Sequence, residues 1–336
     1  MDHCSPDLFA NFGIAGWEYG NLTLEGKPET PEMRPYMFLR GGLLQGMMLE
    51  QKLGANPFKF GFIGGTDVHN SLTSIEEDNF FGKHVTQEPK PDRWKGIAKK
   101  GLGFTRYDWQ YTAAGYAAVW APENTRTALW DAMYRKETYA TSGTRMTVRM
   151  FGGWDFDPED ARTHYFAEIG YRKGVPMGAD LPKPTGGAKA PAFLVAAMKD
   201  PIGANLDRIQ IVKGWIDKAG KPQEKIYNVA WGNADRRKLM PNGKLPPVGD
   251  TVDVSRATWT NTIGDPDLIG VFKDPGFDPS LRAFYYVRVL EIPTPRWTDY
   301  DSVRFHVKMT PDVEMKIQER AWTSPIWYTP GHREQP

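Results

Sequence analysis

The residues best suited to chemistry lie together in Gly64-Gly65-Thr66-Asp67-Val68-His69-Asn70. On an extended chain, residues two apart project to the same side, so Asp67 and His69 can aim a carboxylate oxygen and an imidazole nitrogen at one point. That donor pair suits a divalent zinc, manganese or iron ion. Gly64 and Gly65 would let the backbone turn tightly and approach the ion. A plainer reading has Asp67 capping the next turn and His69 as a satisfied surface histidine, because an Asp-x-His pair alone is common.

Two further residues could serve the substrate side. His84 ends the run Glu76-Glu77-Asp78-Asn79-Phe80-Phe81-Gly82-Lys83-His84. Such an acid run is usually a solvated face, although Glu, Asp and His also orient metal ligands from behind. Arg145 closes Tyr139-Ala140-Thr141-Ser142-Gly143-Thr144-Arg145. An arginine beside small hydroxyl residues can grip a phosphate or sulfate oxygen with two N–H groups. The alternative is a buried arginine satisfied by carboxylates or loop carbonyls. No Walker loop, GxSxG elbow, HExxH or GxGxxG is present.

These residues need elements to carry them. Thr30-Pro31-Glu32 reads as a helix start, and Pro35 begins that helix afresh or interrupts it early. Leu39, Leu43, Leu44, Met47 and Met48 recur at helical spacing, and Gly54 ends the run. Phe58, Phe60 and Phe62 alternate with Lys59 and Gly61, which predicts a strand leading into the Gly64–Asn70 loop. Gly115 to Trp120 reads as a buried strand, and Pro122-Glu123 as the start of a helix with Leu129 and Met133 on one face. This alternation predicts an α/β layer to about Arg145.

Beyond it, Met146, Val148 and Met150 begin a mostly β half. Strands are predicted at Ala192–Lys199, Arg208–Ile216, Glu224–Trp231, Arg282–Ile292 and Pro325–Tyr328, with a hairpin turn at Asp217–Gly220. The expected fold class is α+β, with an α/β portion over residues 1–150 and a β-rich, sandwich-like domain over 151–336. The Gly174–Pro191 loop is the likeliest internal boundary by composition.

Composition narrows the function classes. The 336 residues carry 42 Lys and Arg against 41 Asp and Glu, a formal net charge of +1. That balance supplies no global field for nucleic acid or an anionic membrane. No apolar run approaches the length of a membrane helix, and the acidic N-terminus does not resemble a signal peptide. The single cysteine, Cys4, excludes an intramolecular disulfide and a Cys-rich zinc site.

Around Gly64–Asn70 the chain resembles the bacterial domain-of-unknown-function 3604 family, a branch of the PHP-like (polymerase-and-histidinol-phosphatase-like) metallohydrolases. The resemblance runs from about Phe12 to Pro330. It rests on long strings, among them GGTDVHNS, EEDNFFGKH, KDPIGANLDRIQIVKGW, RAFYYVRVLEIPTPRWT and ERAWTSPIWY. It implies a distorted α/β barrel whose strand ends hold divalent metals, followed by a β-rich C-terminal domain. The family's last metal motif, D-x-H, falls here on Asp67 and His69. The implied reaction is hydrolysis of a small-molecule phosphate, sulfate or similar ester.

One departure qualifies that expectation. PHP-like enzymes begin with H-x-H, whereas the six histidines here are all isolated. The chain therefore resembles the C-terminal part of such an enzyme, with an incomplete barrel and an incomplete metal site. Uncovered barrel edges would favour self-association. The resemblance also implies export of full-length relatives to the periplasm. The competing expectation is a non-catalytic binding or assembly module whose β half recognises a glycan or partner through exposed aromatics, although Trp215, Trp231, Tyr285 and Trp327 lie at strand spacing, where core or cross-strand packing explains them more cheaply.

Overall fold

The structure, a computed structural model, describes Thr30, Glu32, Met33, Tyr36 and residues 38–72, 76–101, 104–113, 115–184 and 190–331. Cys4, Pro31, Pro35 and part of the Gly174–Pro191 loop lie outside the described residues. The strands are β1 (Ile97–Gly101), β2 (Phe104–Tyr107), β3 (Ala117–Val119), β4 (Thr138–Thr141), β5 (Thr147–Gly153), β6 (Gly174–Pro176), β7 (Ala192–Met198) and β8 (Leu206–Ile216). They continue as β9 (Pro222–Trp231), β10 (Asp267–Lys273), β11 (Ala283–Glu291), β12 (Thr294–Pro295), β13 (Lys316–Ile317), β14 (Arg320–Thr323) and β15 (Ile326–Tyr328). The helices are α1 (Leu39–Leu53), α2 (Arg126–Tyr134), α3 (Phe166–Lys173) and α4 (Trp297–Phe305).

Two antiparallel sheets make the body. One runs β10-β7-β5-β6; the other runs β3-β4-β14-β11-β8-β9, with β15 also paired to β11. Period-two side-chain placement explains how both are covered. Along β11, Ala283, Tyr285, Val287 and Val289 enter one apolar cluster with Val148, Met150, Phe193 and Val195 of the facing sheet. Phe284 and Tyr286 point the other way and meet Leu43, Leu44 and Met47 of α1. On the far side of the smaller sheet, Phe151 and Leu194 are covered by Phe166 and Ile169 of α3. Both faces of β8 and β11 are buried, so polar residues on them are paired inside, Lys213 with Asp274 and Arg288 with Gln210.

The α+β class and the mostly β second half stand. Among the described residues no barrel closes, and the strands before Arg145 do not form a βαβ layer. Instead β3 and β4 pair antiparallel, and β4 pairs antiparallel with β14. The Phe58–Ile63 segment is not a strand. β4 already has β3 on one edge and β14 on the other, so that neighbour offers this segment no free ladder. The Phe62 N–H donates instead to the Ser324 hydroxyl at 2.9 Å, and the Phe62 ring packs into the α1 cluster.

One helix expectation stands and another shifts. α1 ends at Gly54, whose φ of 79° supplies the left-handed cap. α2, by contrast, starts at Arg126 rather than Pro122, with the Thr125 hydroxyl accepting from the Ala128 N–H. Its buried face is Ala128 and Ala132, while Met133 is exposed. Of the four aromatics at strand spacing, Tyr285 and Trp327 are core residues, as packing predicts, and Trp215 and Trp231 are half-buried.

Candidate functional site

The Gly64–Asn70 loop is strapped to the edge of the larger sheet. The Gly64 N–H donates to the Tyr116 carbonyl at 3.2 Å, and the Gly115 N–H donates to the Gly65 carbonyl at 3.1 Å. Tyr116 in turn exchanges backbone hydrogen bonds with Thr141 at the end of β4. Gly64 is needed for close approach: a Cβ there would lie 2.4 Å from the Tyr116 carbonyl oxygen and 2.8 Å from that of Thr141. Gly65 has nothing within 4 Å and carries no such demand. The left-handed position is Asp67, with φ 47°, a conformation that Asp tolerates better than most residues.

That turn brings the two expected ligands together. Asp67 Oδ1 lies 3.5 Å from His69 Nε2, and both side chains are more than half exposed. The convergence comes from the left-handed bend at Asp67 rather than from strand alternation. The other carboxylate oxygen, Oδ2, accepts from the Lys83 ammonium. This hydrogen bond is the main reason that the Asp67 carboxyl is held below its usual range.

A second loop, residues 80–87, is locked onto the first. The His69 N–H donates to the Lys83 carbonyl at 2.7 Å, and Asn70 Nδ2 donates to the carbonyls of Phe81 and Gly82 at 3.2 Å each. The His84 ring stacks on the His69 ring, with centroids 4.7 Å and planes 19° apart. Gln87 Oε1 accepts from the N–H groups of Lys83 and His84 at 3.0 and 3.1 Å. Its Nε2 donates to Asp108 at 2.6 Å, so the turn is braced from below.

Beneath this loop lies a buried ion pair. Arg93 Nη2 donates to Asp301 Oδ1 at 2.9 Å, and Nε donates to Oδ2 at 2.5 Å. The remaining nitrogen, Nη1, donates to the carbonyls of Phe80 and Gln87 at 2.7 and 3.1 Å. The guanidinium also faces the Trp297 ring 4.5 Å away. α4 therefore anchors the loop that carries Lys83 and His84. Residues 3–330 match the family described as protein of unknown function (DUF3604).

The chain belongs to the DUF3604 family. No curated protein and no solved structure matches it. In this DUF3604 chain Arg145 sits on a separate arm of the same loop region. It is exposed rather than buried, donates to Glu76 Oε1 at 3.2 Å and Tyr116 Oη at 3.1 Å, and lies over the Tyr116 ring. Its backbone N–H is fixed by Asp200 at 2.8 Å. Asp67, His69 and His84 are thus brought together, and Arg145 is linked to them through Tyr116, the residue strapped to Gly64.

One carboxylate oxygen of Asp67 and one imidazole nitrogen of His69 converge at an exposed turn, two donors of the kinds a divalent cation takes but fewer than the three a tight site wants. Among the described residues no group of three or more His, Cys, Asp or Glu side chains is placed to hold a metal. Nor is any described helix long and apolar enough to cross a membrane.

Behind the Thr141–Arg145 turn lies a buried polar interior. Glu319 accepts from the Ser142 hydroxyl, and Glu77 accepts from the Trp297 N–H at 2.6 Å. Burial raises both carboxyls, and it pushes Glu291 up to about 8. Arg296, lowered to about 10 by burial, donates to the carbonyls of Trp109 and Tyr111. Tyr111 in turn presents its ring to the Lys83 ammonium at 5.4 Å.

Sequence reading missed Lys83, Gln87, Arg93 and Asp301. Lys83 stood inside the string that carries His84, but an acid run suggested a solvated face. Gln87, Arg93 and Asp301 left no local signal, since Asp301 lies 208 positions from Arg93.

Proposed function

We propose that this chain is the C-terminal portion of a PHP-like, metal-dependent hydrolase acting on small phosphate, sulfate or similar esters. The observation that carries the reading is the 3.5 Å approach of Asp67 Oδ1 to His69 Nε2 on a turn strapped to the sheet end. A divalent cation, when bound, supplies a Lewis acid that acidifies water and polarises an ester oxygen. Asp67 and His69 would hold it. His84 stacks on His69 and limits how that ring can turn. Arg145, exposed and already oriented by Tyr116 and Glu76, is a donor for an anionic ester oxygen.

Two ligands are too few for a tight site, which wants at least three from protein. Hydrolysis would therefore require ligands from outside the described residues, and the proposed incomplete barrel is their source. In keeping with this, Phe58, Phe60 and Ile63, which lead into the site loop, all stay exposed. Further barrel strands would cover that apolar edge. The binding-module reading needs a row of exposed aromatics, and the strand-spaced Trp215, Trp231, Tyr285 and Trp327 do not supply one, being buried or half-buried.

The test is to express the chain fused to a complete N-terminal part from a family member, then measure bound metal and aryl-ester hydrolysis. Metal content and activity should both fall in the Asp67→Asn and His69→Gln variants. A fusion that binds no metal, or variants that retain full activity, would remove the reading. Asn is the better replacement at position 67, because an alanine in the left-handed region adds about 1 kcal/mol of strain.

A further inference from the structure

The helix α2 leaves most of its surface unused by the fold. Ala128 and Ala132 are the residues it buries. At 3.6 residues per turn, Trp130 stands about 180° round the helix from the midpoint of that pair. Arg126 and Tyr134 lie one turn before and after Trp130 on the same stripe, and Met133 flanks them. Among the described residues nothing covers this stripe: Trp130 is 64%, Tyr134 79% and Met133 47% exposed, and Arg126 is exposed as well. A helix that buries two alanines while it shows a Trp, a Tyr and a Met to solvent has its larger apolar face turned outward, the opposite of what a surface helix of a lone chain does.

The order of side chains along the stripe says what fits it. It runs cation, indole, phenol, with Trp130 midway between Arg126 and Tyr134. A two-fold axis passing beside Trp130 reverses that order on a second copy. The two indoles then meet at the centre, and each Arg126 guanidinium reaches the Tyr134 ring of the other copy, one contact at each end. Glu123, just before the helix, falls beside the other copy's Arg135, so opposite charges also meet.

We propose that α2 is a self-association face and that two copies of this chain pair antiparallel along Arg126, Trp130 and Tyr134. The proposal does not depend on the hydrolase reading. At 150–250 Å2 per aromatic side chain, Trp130 and Tyr134 expose about 300 Å2, so two copies bury about 600 Å2 from these rings. A stable interface takes at least ~1,200 Å2, so the dimer is weak and forms in the micromolar range. A glycan is a poorer occupant, because an outward-facing helix is convex and such ligands sit in clefts. An anionic membrane is opposed by the exposed carboxylates of Glu123 and Asp131 at the rim.

Sedimentation equilibrium of the full chain tests the pairing, and the parent should be half-dimeric between about 10 and 100 µM. Trp130→Gln should weaken association about thirtyfold or more, as for an aromatic at the centre of an interface. Arg126→Glu and Tyr134→Arg should each weaken it about five- to thirtyfold, because each removes two cation–ring contacts per dimer. The double variant Arg126→Glu/Tyr134→Arg should recover, since the new opposite charges meet across the same two-fold. Ile63→Ser, on the exposed edge that leads into the site loop, should leave association unchanged. A parent that stays monomeric to about 200 µM overturns the proposal. So does a double variant that associates no better than the two single ones, because the antiparallel register is then wrong. If Ile63→Ser dissociates the dimer and Trp130→Gln does not, the interface is the Phe58–Ile63 edge and the proposal fails. It fails too if Trp130→Gln lowers the melting temperature with the mass unchanged, since α2 is then covered by its own chain.

Discussion

Arg93 and Asp301, 208 positions apart in the chain, form a buried two-pronged ion pair directly beneath the loop that carries Lys83 and His84. The pair transmits the placement of α4 to the candidate site, because the same guanidinium holds the carbonyls of Phe80 and Gln87. Removing one partner of a buried pair leaves the other charge uncompensated. Asp301→Asn should therefore lower unfolding free energy by about 2–4 kcal/mol, with two carbonyl acceptors limiting the loss. Urea melts measure the total, and faster amide exchange across residues 80–87 would show that the damage reaches the loop. Unchanged exchange there would mean that α4 does not position it.

Gly64 and Gly65 should respond differently to the same added methyl group. Gly64→Ala would press a Cβ against the carbonyls of Tyr116 and Thr141, which belong to the paired edge of the sheet and cannot yield. A loss of about 1–3 kcal/mol is expected. Gly65→Ala meets open space and should be neutral or stabilising by up to about 1 kcal/mol. Thermal melts of the two variants, compared directly, test the strap on which the site loop depends.

The interior behind that strap predicts a pH dependence. Burial raises Glu291 from 4.5 to about 8 in the folded chain, so its neutral form is the compatible one. A raised folded pKa means that the folded state holds the proton more tightly than the unfolded state. Its stabilisation is full below about 4.5 and is lost as pH rises through about 8. Glu291→Gln keeps the neutral shape at every pH. The variant and the parent should melt together near the lower limit, and the variant should melt several degrees higher above the upper one. Parallel curves across the range would contradict the assignment.

Arg145 makes a different kind of prediction, because its side chain is 61% exposed. Arg145→Met should change stability by no more than about 0.5 kcal/mol, as expected for a surface position. In a completed enzyme it should raise KM for an anionic aryl ester more than it lowers kcat, the mark of lost substrate binding. An unchanged KM would return Arg145 to a purely structural contact with Glu76 and Tyr116.

Much of the β half was legible because strand alternation and turn residues agreed. The Asp217–Gly220 turn joins β8 to β9 as expected, with Gly220 at φ 75°. Phe58–Ile63 carried the same alternation and failed, because a strand pattern needs a free partner edge and both edges of β4 are occupied. The meeting of Asp67 and His69 was also legible, but the extended-chain reason for it was not the operative one. A left-handed Asp67 makes the turn, and that conformation depends on contacts the local sequence does not contain. Lys83 is 16 positions from Asp67, and Asp301 is farther still from the loop it supports. Such long-range polar contacts become visible only once the sheet is assembled.

The proposed chemistry requires a divalent cation at Asp67 and His69, and histidine NMR of the chain reads that binding residue by residue. Substoichiometric Mn2+ added to 15N-histidine-labelled protein should broaden the ring signals of His69 and its stacked neighbour His84 first. Those of His164 and His306 should stay sharp. Uniform broadening, or loss of another histidine's signal before that of His69, would rule out binding at this turn.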